Sequence, residues 1–225
     1  MLLTHSYGRL KFSASVSPGG RAVVFVLVPG GLVPEMEKWA EEAAPATGGS
    51  LVLVSGIDWN NDMTPWAAEG VMKKAKPFGG GASGFLEDML EIYIPEVERW
   101  LGGGFSERYL MGISLSGLFA VWTLARTDAF SGVASVSGSL WYDGFSGWLK
   151  QQPLLAGTRV YLSLGKKEKD VPDNRMSVVE ERTGEVAGIL ESKGLEVSFE
   201  MVGGTHFSPA APKFSKALEA LLRNR

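Results

Sequence analysis

Three side chains in this sequence could together make a covalent bond and move the proton that bond formation releases: Ser114, Glu168 and His206. Ser114 sits in Tyr109-Leu110-Met111-Gly112-Ile113-Ser114-Leu115-Ser116-Gly117-Leu118-Phe119-Ala120, an apolar run followed by small residues and then a helical pattern. That is the layout of a nucleophile elbow, G-x-S-x-G, in which the serine occupies a tight, strained turn between strand and helix. Gly112 fits the first small position. Ser116 stands at the second, with Gly117 one step later, and serine is small enough to keep the pattern. Taken alone, such a run also suits a plain Gly/Ser turn before an ordinary helix. The rest of the chain decides between the two.

A serine hydroxyl is a weak nucleophile until a base takes its proton, and a neutral imidazole, with a reference pKa of about 6.5, can do so near neutral pH. The chain holds two histidines, His5 and His206, and no cysteine, so the choice of base is narrow and a thiol nucleophile is excluded. His5 belongs to the first few residues and reads as a surface side chain. A carboxylate must hold the imidazole tautomer and stabilise the imidazolium. Glu168 in Gly165-Lys166-Lys167-Glu168-Lys169-Asp170 is the first choice, with Asp170 and Asp173 further along; Asp173 also suits a helix cap. An oxyanion would be held by the backbone N–H of Leu115 and by a second donor at Gly31 or Leu32, where Gly30-Gly31 lets the backbone come close. No H-E-x-x-H or paired ligand spacing occurs, so no metal is expected.

These residues need elements to carry them. Leu10 to Ser17 alternates apolar and polar residues as a half-buried strand does, and Ala22 to Val28 is a doubly apolar, β-branched run. With Ser17-Pro18-Gly19-Gly20 between them, the two read as a hairpin. Glu35 to Ala44 reads as a helix and Leu51 to Val54 as a buried strand. Residues 55 to 84 are glycine-rich and irregular, a length of loop that is usually functional. Ala82 to Leu101 has helical spacing, with Pro95 placed to kink or divide it. Arg108 to Met111 is the strand before Ser114, and Leu115 to Ala125 the helix after it. Strands at Gly132 to Gly138, Arg159 to Leu164 and Leu195 to Val202 then alternate with helices at Met176 to Lys193 and Pro212 to Leu222. Leu140 to Leu149 reads as an aromatic-rich loop. Such alternation predicts an α/β fold with a mostly parallel sheet and helices on both faces. In open sheets of this kind functional groups gather at the carboxyl ends of strands. Ser114, Glu168 and His206 each follow a strand, in the order of α/β-hydrolases.

The 225 residues suit one domain, 1–225, and 45% apolar residues supply a core. A net charge of −3 gives no basic field for nucleic acid or an anionic membrane. No apolar run is long enough to span a bilayer. The first residues lack a basic stretch leading into an apolar one, so the expected location is the cytoplasm.

Gly112 to Ala120, Ser137-Gly138-Ser139-Leu140-Trp141, Leu162 to Glu168 and Gly203-Gly204-Thr205-His206-Phe207 together resemble the esterase D-like family of α/β-hydrolases. Within it the chain is most similar to the siderophore (enterobactin-type) esterase branch. Asp62-Met63-Thr64-Pro65, Gly79-Gly80-Gly81-Ala82 and Phe85-Leu86 add to the likeness, which spans roughly residues 22 to 222. Ile113 and Ser116 stand where the family commonly has His and Gly. The resemblance implies a serine carboxylic ester hydrolase acting on a small-molecule ester through an acyl-enzyme without a cofactor, with a siderophore-type ester as one candidate substrate. Acyl transfer on the same fold, or a non-catalytic binding module, are the alternatives. Trp141, Tyr142 and Trp148 are candidate walls for an acyl or aryl group. Lys73, Lys74 and Lys76 are candidates for a basic rim, Asp62 for a turn or cap, and Gly79 to Gly81 for a hinge or close approach.

Overall fold

A computed structural model describes residues 2–71, 75–173 and 175–223. The chain opens with strands β1 (Leu3–Tyr7), β2 (Leu10–Ser15) and β3 (Ala22–Leu27), then a helix α1 (Val33–Thr47) and strand β4 (Ser50–Ser55). The irregular stretch that follows holds a single helical turn α2 (Trp59–Asp62) and two short strands, β5 (Ala67–Ala68) and β6 (Phe78–Gly79). Helices α3 (Ala82–Asp88) and α4 (Ile94–Trp100) are joined by a wider turn over Met89–Tyr93. Pro95 falls at the second residue of α4, just after this wider turn, so the proline marks where the continuous helical run changes its winding. Strand β7 (Glu107–Ile113) leads into α5 (Leu115–Thr123), and β8 (Gly132–Val136) into α6 (Phe145–Lys150), which occupies part of the expected loop. Strand β9 (Arg159–Gly165), helix α7 (Val179–Ser192), strand β10 (Glu196–Val202) and helix α8 (Ala210–Leu222) complete the order.

Eight strands form one sheet in the order β1-β2-β4-β3-β7-β8-β9-β10, parallel from β4 to β10 and antiparallel at β1 and β2. Period-two patterning splits β3 between two cores. Val23, Phe25 and Leu27 face the layer packed by α3 to α7, whereas Ala22, Val24 and Val26 face α1 and α8. Helices thus cover both faces, as the strand–helix alternation predicts.

The expected hairpin does not form. β2 pairs with β1 and β4, and β3 lies between β4 and β7. All six residues of β3 are buried, so it needs a covered, central position with parallel neighbours, while β2 keeps an exposed lysine and stays near the edge. β1, missed in the sequence because its residues follow no clean alternation, is mostly exposed. The consequence for function lies at β3. The chain leaves it towards β4 on one side and returns to it at β7 on the other, which opens a crevice at the carboxyl ends of β3 and β7. Among the described residues no helix is long and apolar enough to cross a membrane.

Candidate active site

Ser114 follows β7 with φ 57° and ψ −123°, a conformation that L-residues rarely adopt. The turn explains its neighbours. A Cβ on Gly112 would collide with the Ser116 carbonyl, so glycine is required there. A Cβ on Gly117 would lie 2.7 Å from Ser135 Oγ and 3.0 Å from Gly138 Cα, so helix α5 can meet the β8 loop only at a glycine. Ser116, fully buried, needs no glycine. Its hydroxyl accepts from Ile113 N at 2.8 Å and lies 2.9 Å from the Leu27 carbonyl, stitching the elbow to β3. The close-approach glycine is thus Gly117, and the serine at 116 is a fastening. Ser114 begins α5, whose first N–H groups, Leu115 among them, have no partner within the helix and favour negative charge.

Glu168 and His206 meet beyond β9 and β10. The Nδ1 of His206 is 2.9 Å from Glu168 Oε2. The other carboxylate oxygen accepts from Ser137 Oγ at 2.6 Å and from Gly165 N at 2.7 Å. Burial alone would push the Glu168 carboxyl up, but the hydrogen bonds from His206, Ser137 and Gly165 outweigh it and hold it below its ordinary value. The side chain is 3% exposed. Asp170 is exposed on the same loop, and Asp173 accepts from the N–H groups of Arg175 and Met176 as a turn cap. Of the three acids named from sequence, only Glu168 reaches the imidazole.

Ser114 and His206 line one pocket of about 260 Å³, together with Pro29, Leu32, Trp59 and Phe207. It lies at the crevice between β3 and β7. The Ser114 hydroxyl is 3.4 Å from Ser139 Oγ and makes no hydrogen bond to the imidazole. A second pocket of about 190 Å³ opens on the other side of His206 and is lined by Gly138, Trp141, Val171 and Met176. Phe207, 91% exposed, borders both.

The remaining expectations divide. Trp141 lines the second pocket, but Tyr142 and Trp148 line neither. The Tyr142 hydroxyl donates to the Trp66 carbonyl, and Trp148 packs on Trp66 and Phe145, so these two rings pack rather than wall a site. Leu32 borders the first pocket, yet its N–H donates to Pro29 O at 2.9 Å in a tight turn; Gly31, in the same turn, lines neither pocket. Lys73 and Lys74 lie outside the described residues; Lys76 is exposed and borders neither pocket. Asp62 is a buried cap, accepting from Asp58 N and from Arg9, and Gly79 and Gly81 pack closely against Asn61. His5 is not a free surface residue. It stacks on Trp100 with ring centroids 5.2 Å apart, at the edge of the sheet. Among the described residues no cluster of His, Asp and Glu could hold a metal ion. Ser137, Ser139 and Phe207 were not singled out individually. Their place just after β8, or beside His206, is the signal that could have marked them.

A mostly parallel sheet covered on both faces, with a serine on a left-handed strand-to-helix turn, defines the α/β-hydrolase class. Residues 50–223 match the model of the Esterase family, described as "Putative esterase". The chain belongs to that family and is a carboxylic ester hydrolase. It is 26% identical to the uncharacterized protein YbbA of Bacillus subtilis (strain 168), over 98% of this chain and 95% of that one. In structure it is similar to an IroE-like serine hydrolase from Shewanella oneidensis, with a TM-score of 0.77, 18% identity, and 95% and 76% of the two chains covered. It is also similar to the siderophore hydrolase EstA from Aspergillus nidulans, with a TM-score of 0.71, 19% identity, and 99% and 93% covered.

Proposed function

We propose that this protein cleaves a small carboxylic ester through an acyl-enzyme on Ser114, with His206 as the base and Glu168 as the acid that orients it. The observation carrying this reading is the Glu168–His206 pair at 2.9 Å opening onto the pocket of a serine with a left-handed backbone. His206 donates its Nδ1–H to Glu168, which leaves Nε2 with a lone pair for the Ser114 proton. The Ser114 oxygen attacks the ester carbonyl as the imidazole takes its proton. The oxyanion is met by the N–H of Leu115 at the start of α5 and by that of Gly31. The imidazolium then protonates the departing alcohol, and water repeats the sequence to release the acid. In the free protein the Ser114 hydroxyl lies 3.4 Å from Ser139 Oγ, a loose contact; the Ser114–His206 hydrogen bond forms as substrate closes the site, a tightening common in enzyme sites.

Among esters, a siderophore-type ester is the first to test, because EstA, which shares this fold, is a siderophore hydrolase. A fluorophosphonate probe should add one phosphonyl group, placed on Ser114 by peptide mapping. Absence of labelling in folded protein that also fails to turn over p-nitrophenyl butyrate would favour a non-catalytic relative and end this reading.

A further inference from the structure

Lys213 projects from the first turn of α8 into the interior and is 5% exposed. Its Nζ donates to Ser137 Oγ at 3.0 Å and to the Thr205 carbonyl at 2.9 Å, and it lies 3.8 Å from Glu168 Oε1. The three partners stand on three different loops. Ser137 follows β8, Glu168 follows β9, and Thr205 precedes His206 after β10. An ammonium so placed is costly, and an apolar side chain of the same length would fill the space more cheaply. What the ammonium alone supplies is direction and charge. It can only donate, so it occupies a lone pair of Ser137 and leaves the Ser137 proton to point at Glu168. Its charge then lies nearest Oε1 of the carboxylate, while the imidazole holds Oε2.

We propose that Lys213 is a positioning residue that sets the proton affinity of the Glu168–His206 pair. The inference rests on the catalytic reading of that pair given above. A cation beside the pair disfavours adding a proton to either member, so the imidazole stays neutral, and competent as a base, to lower pH. Burial outweighs the pull of Glu168 and holds the Lys213 ammonium below its ordinary value. The other ionisable groups nearby are otherwise engaged. Glu35 of α1 accepts from Ala211 N, and Glu200 of β10 pairs with Lys216 of α8 and with Tyr161 of β9. Lys167, Lys169 and Asp170 are exposed on the Glu168 loop.

Two readouts test this on wild type, Lys213→Met and Lys213→Gln, the last keeping a donor for Ser137 or Thr205 O should the first not fold. The acid limb of kcat/KM against pH should move to higher pH by about half a unit or more once the charge is gone. The His206 Cε1–H resonance, titrated by NMR with His5 as internal reference, should move the same way. A limb and a titration both within about 0.2 unit of wild type in a folded variant would overturn the inference. Since the NMR titration needs no turnover, a shifted His206 in a protein without Ser114-dependent activity would sink the catalytic reading and leave the electrostatic role of Lys213 standing, while a fixed His206 in an active protein would sink the inference alone.

Discussion

Glu168 is the residue on which acid, base and loop geometry converge. Both its oxygens accept hydrogen bonds, and one of them orders the imidazole. Glu168→Gln should lower kcat by roughly 10²- to 10⁴-fold, because the amide disorders the imidazole but leaves the oxyanion donors in place. Asp170→Asn and Asp173→Asn should cost less than about tenfold on the same scale. A crippled Asp173→Asn beside a mild Glu168→Gln would reassign the acid. Glu168 also ties stability to pH. Its folded pKa is depressed, so its contribution is present above the ordinary carboxyl value of about 4.3 and is lost as pH falls through the lower folded value. The melting-temperature gap between wild type and Glu168→Gln should therefore be widest near neutrality and close below about pH 4. At this scale Ser114 and His206 were legible, since a chain with two histidines and no cysteine leaves few choices. Lys213 was not. In Pro212 to Leu222, Lys213 and Lys216 look alike, and only the packing of α8 turns one inward to Ser137 and leaves the other outside on Glu200.

At the scale of elements, the elbow shows how a motif can be missed by one position and still be kept in substance. The strand–turn–helix order was readable from Tyr109 to Ala120, but the identity of the close-approach residue was not, because it depends on where β8 and its loop lie. Gly117→Ala should cost about 1–3 kcal/mol through overpacking against Ser135 and Gly138 and should lower activity by displacing α5. Ser116→Gly should cost about 1–2 kcal/mol through the lost tie to Leu27 but leave the elbow open to attack. Thermal melts with p-nitrophenyl butyrate rates on the two variants would check this; a harmless Gly117→Ala would show that the helix has room to move. The hairpin error has a similar origin. The turn at 17–20 and the alternation of β2 are local, whereas the insertion of β4 between β2 and β3 depends on how the strands compare across the whole sheet.

For the whole molecule, the sheet separates stability from chemistry. His5 and Trp100 close one edge, and the candidate site lies at the carboxyl ends of β3, β7, β8, β9 and β10. His5→Ala should lower stability by about 1 kcal/mol through the lost ring stacking and leave kcat/KM within about twofold, whereas His206→Ala should abolish turnover. Equal losses from the two variants would mean that the edge and the site are coupled. The alternation of strands and helices made the parallel sheet and the serine, acid, histidine order legible. The crevice between β3 and β7, which decides that Ser114 and His206 share a pocket, required the strand order. The most direct measurement is the rate of Ser114→Ala on p-nitrophenyl butyrate, with folding checked by circular dichroism. If Ser114 forms the acyl-enzyme, kcat should drop by on the order of 10⁴-fold or more. Retention of more than about a tenth of the wild-type rate would contradict it.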